Sequence, residues 1–144
     1  MTDPIYKSFL GIWQLDTATC DYEQGEPPWS DRHQIAADGD ELVIIMDWTD
    51  AAGDTHHASL RAKPDGSKIP FNGGPLADAL QITAPSELEL TSSAFRDGVE
   101  LMTATRELEP DGMSFYLVQT VHLPDGTSPS NRATYIRQDE PSDE

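Results

Sequence analysis

The chain has 144 residues, with 26 acidic against 9 basic side chains and a formal charge of −17. A field of that sign repels phosphate backbones and anionic lipid surfaces, so no nucleic-acid partner is expected. The lone Cys20 leaves no internal disulfide, and no Cys/His cluster supplies a structural zinc site. No apolar run approaches the roughly 20 residues that a spanning helix needs. Met1 to Lys7 lacks the pattern of a secretory signal, so a cytoplasmic location is expected.

In chain order, a short helical turn is expected over Pro4 to Leu10, followed by a first strand, Gly11 to Thr17. A long loop, Asp21 to Ser30, carries Pro27-Pro28 and Trp29, whose ring could cap one end of the molecule or anchor the loop. Strands Arg32 to Ala37 and Glu41 to Thr49 flank Asp38-Gly39. Thr55 to Lys63 follows, then a looser stretch through Phe71 and a second helical turn over Pro75 to Ala79. Ala79 to Thr83 and Glu87 to Ser93 flank a turn at Pro85-Ser86. Val99 to Glu109, Met113 to Leu123 and Asn131 to Arg137 complete about nine or ten strands. Asp-Gly and Asn-Gly pairs (at Asp38, Asp65, Asn72, Asp97, Asp111 and Asp125) supply the positive φ of tight hairpins. The tail 139–144 is acidic and expected to be disordered, leaving 1–138 as one domain.

Hairpin-linked neighbours make an all-β antiparallel meander. Closing it into an up-and-down barrel removes its edges, whereas a sandwich would need longer crossovers. Alternation then assigns faces. Leu42, Ile44, Met46 and Trp48 share one side, opposite Val43, Ile45 and Asp47. His56, Ala58, Leu60 and Ala62 form an inner set, as do Phe115, Leu117, Gln119 and Val121, while Leu88 and Leu90 point inward between Glu87 and Glu89. The inner surface is aliphatic with few polar members: His33, His56 and Gln119. Apolar walls with a few convergent polar groups are the composition of a ligand pocket, although a small barrel can also be filled by its own side chains.

The segment Phe9-Leu10-Gly11-Ile12-Trp13-Gln14-Leu15, with Tyr135-Ile136-Arg137 at the far end, resembles the calycins, the superfamily of lipocalins and fatty-acid-binding proteins. It also resembles small bacterial lipocalin-like proteins that share the Gly-x-Trp opening. The resemblance implies that Trp13 and Arg137 close one end of the barrel through a cation–π contact. It departs at the Arg-x-Tyr pair with which fatty-acid-binding proteins hold a carboxylate. Tyr135 matches the tyrosine, but Ala133 stands two residues before it, and Arg132 falls on the opposite face.

The leading expectation is a non-catalytic barrel for a small apolar or amphipathic molecule. Met46, Trp48, His56, Leu60, Phe115, Leu117, Gln119 and Tyr135 would contact it, with the protein acting as a monomer or homodimer. No cofactor and no metal is expected: His56 and His57 are adjacent on a strand and face opposite ways, leaving only His33 with His56 as an inner pair. No serine elbow, nucleotide loop or zinc-protease motif is present. The alternatives are an isomerase- or hydratase-like enzyme using a pocket histidine, and a filled barrel that presents Val43 and Ile45 to a partner.

Overall fold

The structure, a computed structural model, describes residues 6–70 and 77–138. A single 3-10 turn, Lys7–Phe9, precedes ten strands: β1 Gly11–Tyr22, β2 Ser30–Asp38, β3 Glu41–Thr49, β4 Thr55–Ala62, β5 Asp65–Pro70, β6 Ala79–Ser86, β7 Glu89–Arg96, β8 Val99–Leu108, β9 Ser114–Val121 and β10 Ser130–Gln138. They form one antiparallel sheet in the order β4-β3-β2-β1-β10-β9-β8-β7-β6-β5. Among the described residues every pair of chain neighbours but one is joined by a ladder, and one further ladder is non-local. β1 pairs with β10, joining the two ends of the meander. Among the described residues no ladder joins β4 to β5, so the barrel is nearly closed. There Leu60 and Ile69 pack on Ala77, Leu80 and Ala94, so side chains cover what hydrogen bonds do not.

The all-β up-and-down barrel expected from the turn spacing is the fold observed. Three local readings are corrected. Pro85-Ser86 is not a turn: β6 runs through Ser86 with a register shift after Thr83, and the chain reverses at residues 87–88. Leu88 consequently sits on that reversal and is exposed, whereas Leu90 is fully buried. Asp65-Gly66 opens β5 at a bulge rather than forming a hairpin turn, with Gly66 at φ 86°. Ala79 begins β6 rather than ending a helix, and the remainder of that expected turn, like Asn72-Gly73 and the acidic tail, lies wholly or partly outside the described residues. No described helix is long and apolar enough to cross a membrane.

The core concentrates at one end of the barrel. Trp13, Phe9 and Phe115 are wholly buried there, with ring centroids of Trp13 and Phe115 4.8 Å apart. The Trp13 indole donates to the Phe9 carbonyl at 2.9 Å, which ties the 3-10 turn to β1. The Arg137 guanidinium lies 4.2 Å from the Trp13 ring centroid and donates to the carbonyls of Ser8, Leu10 and Gly112. Gly11 stands at φ 137°, and a Cβ there would meet Arg137 Nη1 at 2.6 Å. The glycine of Gly-x-Trp is therefore set by backbone conformation and by the guanidinium crossing over it.

Candidate functional site

Beyond this packed end the barrel holds a cavity of about 810 Å³. The barrel is therefore not filled by its own side chains. Met46 and Trp48 reach the cavity from β3, Leu60 from β4, Leu80 from β6, and Leu117 and Gln119 from β9. The strand alternation explains the arrangement: these positions occupy the inward rows of neighbouring strands, as the pairs Met46↔Ala58 and Ile44↔Leu60 show. Of the residues expected to meet a ligand, Met46, Trp48, Leu60, Leu117, Gln119 and Tyr135 all border the cavity. Gln119 is occupied locally, its amide lying 2.8 Å from the Met102 sulfur.

Two of the expected residues lie elsewhere. Phe115 belongs to the packed end, stacked on Tyr135 with centroids 5.1 Å apart. His56 stands at the exposed rim, where its ring stacks on Trp48 at 5.2 Å and Nε2 lies 2.8 Å from Asp50 Oδ2. Val43 and Ile45 are half-buried rather than openly exposed. Among the described residues no group of three or more His, Cys, Asp or Glu side chains is placed to hold a metal ion.

The polar groups of the cavity came mostly from residues that sequence reasoning passed over. Arg106 on β8 is 2 % exposed, and the described residues give its Nε no hydrogen-bond partner; Nη1 donates to Ser92 Oγ at 3.3 Å. Burial pushes its pKa down to about 10, with Tyr135 and Asp31 opposing that shift, so it remains a cation at neutral pH. Its row is informative: Ala133, Leu117 and Arg106 are consecutive partners across β10, β9 and β8. A guanidinium thus stands in the row of Ala133, two strands away. The signal was present in the sequence, because Arg106 interrupts the otherwise apolar inward row Met102, Ala104, Leu108.

Asp31 on β2 forms the second polar centre. Its Oδ2 accepts from the Tyr135 hydroxyl at 2.7 Å and lies 3.2 Å from His33 Nε2. Burial lowers the pKa of His33, against the opposing pull of Asp31, while burial and the Asp31 charge raise that of Tyr135. Tyr22, also at the cavity, is pushed up to about 12, first by burial and then by Cys20 and Asp31. Tyr135 is therefore a neutral hydroxyl committed to Asp31.

A ten-stranded meander whose first and last strands pair, closed at one end by Trp13 under Arg137 and hollow beyond, decides the fold. The fold is that of the calycins. The zebrafish ileal bile acid-binding protein complexed with cholic acid is similar, with TM-score 0.54 and 14% identity over 91% of this chain and 99% of that one. Lobster apocrustacyanin A1 matches at TM-score 0.45 and 14% identity, covering 95% of this chain and 64% of that one. A lipocalin whose expression is activated in cell transformation by the myc oncogene matches at TM-score 0.46 and 12% identity, covering 99% and 78%. No protein-family model matches the chain, and no curated protein matches it. The likeness to the zebrafish protein is one of fold alone, and the chemistry of this chain has to be read from its own residues.

Proposed function

We propose that this calycin barrel binds a small amphipathic acid, with the apolar body against Met46, Trp48, Leu60, Leu80 and Leu117 and the acid group at Arg106. The observation that carries the reading is the buried Arg106 guanidinium, whose Nε has no partner among the described residues, bordering an apolar-walled cavity. A cation removed from water without a full set of partners costs several kcal/mol. A carboxylate, whose two oxygens match the planar fork of a guanidinium, would offset that cost in a way a neutral oil would not. The similar zebrafish ileal bile acid-binding protein is complexed with cholic acid, itself an amphipathic acid, which supports such a ligand.

Trp48 provides the assay, since it borders the cavity and would transfer energy to a dansyl-labelled fatty acid held there. Saturable transfer, reversed by unlabelled oleic acid and weakened by Arg106→Met, is the expected result. Absence of saturable transfer would overturn the reading. On this reading the protein works in the cytoplasm as a monomer or homodimer, which fractionation and native mass spectrometry of the ligand-bound form would check.

One observation favours a second reading, an isomerase- or hydratase-like enzyme. His33 borders the cavity with its ring oriented by Asp31, the arrangement of a histidine base held by a carboxylate. Any turnover that survives His33→Ala removes that reading.

A further inference from the structure

We infer that the cavity has a second, acceptor-only pole at Asp31 and His33, and that its ligand is bipolar: a carboxylic acid whose apolar body also carries a hydroxyl or amino donor. This deepens the binding reading above and rests on it.

The argument begins with proton placement. The carboxylate oxygen Asp31 Oδ2 receives the Tyr135 hydroxyl, and His33 Nε2 lies 3.2 Å from the same oxygen. A carboxylate oxygen can only accept, so Nε2 carries the hydrogen of that contact. Burial holds His33 toward its neutral form. A neutral imidazole with its proton on Nε2 leaves Nδ1 as a bare acceptor. Asp31 Oδ1 and His33 Nδ1 are both buried, and neither has a hydrogen-bond partner among the described residues. His33 is 3 % exposed and its ring stacks on Tyr135 at 4.5 Å, so it is held in place rather than free to turn toward another donor.

Buried acceptors left unsatisfied are rare and costly in folded proteins. The two found here border the same cavity as Arg106, which can only donate. The cavity therefore presents a donor, Arg106, and two bare acceptors, Asp31 Oδ1 and His33 Nδ1, whose charges act on one another, beside an apolar wall. A plain fatty acid answers the first pole and brings no donor to the second. A molecule bearing both an acid and a donor answers both.

The test is competition against dansylamino-undecanoic acid, using dodecanoic and octadecanoic acids and their hydroxy and amino derivatives substituted at successive carbons. The expected result is that at least one derivative displaces the dye at a concentration about ten-fold lower than its parent acid, the gain of a hydrogen bond to a charged acceptor. Hydroxy and amino series run side by side tell the two donors apart. Asp31→Asn, which turns one acceptor oxygen into a donor, should bring the ratio of derivative to parent affinity toward one. Parent acids that bind as well as every derivative, or a preference that persists in Asp31→Asn, overturn this inference and leave the binding reading standing. A dye and parent acids that do not bind at all overturn both. The wild-type comparison is decisive even where the variant folds poorly.

Discussion

The two ends of this barrel use arginine in opposite ways. At the closed end Arg137 has every role filled: one aromatic face, three backbone carbonyls, and a glycine that makes room for it. In the hollow half Arg106 is more deeply buried, yet among the described residues its Nε has no partner and Nη1 makes a long contact to a serine. A satisfied guanidinium contributes to folding. An unsatisfied one is a cost that folding bears and that something else must offset. The difference separates the part of the molecule that holds the barrel together from the part available for recognition.

The sharpest way to break this contrast is at Trp13. Trp13→Ala removes a wholly buried indole and the surface on which Arg137 rests, and should cost about 3–5 kcal/mol in denaturant unfolding. A loss near zero would mean that the closed end does not dominate stability. Arg137→Lys keeps the charge but cannot serve three carbonyls with one fork, and should cost about 1–2 kcal/mol in the same assay.

Arg106→Met should behave in the reverse sense. Replacing a buried, under-partnered charge with a side chain of similar length should leave unfolding free energy unchanged or raise it by about 1 kcal/mol, while affinity for acidic amphipaths falls. A clear loss of stability would place Arg106 with the structural arginine instead. The smallest effect concerns pH. The folded pKa of His33 lies below its unfolded value of 6.5, so the unfolded chain binds more protons in the window between them. This group's contribution is therefore fully present above about pH 6.5 and is lost as pH falls through that value toward the folded pKa. Unfolding curves between those limits should show a slope in wild type that is reduced in His33→Gln.

The same contrast explains what could be read from the residues alone. Strand number and meander order followed from turn chemistry and from alternation, which are local, whereas the closing pair Trp13–Arg137 was implied by the resemblance of the Gly-x-Trp opening and the Tyr-x-Arg ending to the calycins. The inward rows of β3, β4 and β9 were legible for the same reason. Asp31, His33 and Tyr135 come together only because β2 and β10 flank β1, a fact of pairing that no local window contains. Arg106 was legible in principle, as the one charged member of an apolar row, but only once β8 was given an inner face. Phe115 alternates with the cavity residues yet lies below them: alternation fixes the side of the sheet, not the height along the barrel. Leu88 failed because a two-residue shift in the turn took it off the strand.

The edges of β4 and β5, which no ladder joins among the described residues, have a kinetic consequence. The described residues form nine ladders, eight of them between chain neighbours, and the ninth joins β1 to β10 across the whole sequence. That single ladder accounts for much of the loop closure the chain must complete before it can fold. Reopening the chain between β4 and β5, and joining β10 to β1 by a short linker, would keep all nine ladders and make each of them local. The contact order falls while the barrel stays the same, so the permuted chain should refold faster than the natural one in stopped-flow measurements. Equal rates would show that closing the ends of the meander is not what limits folding.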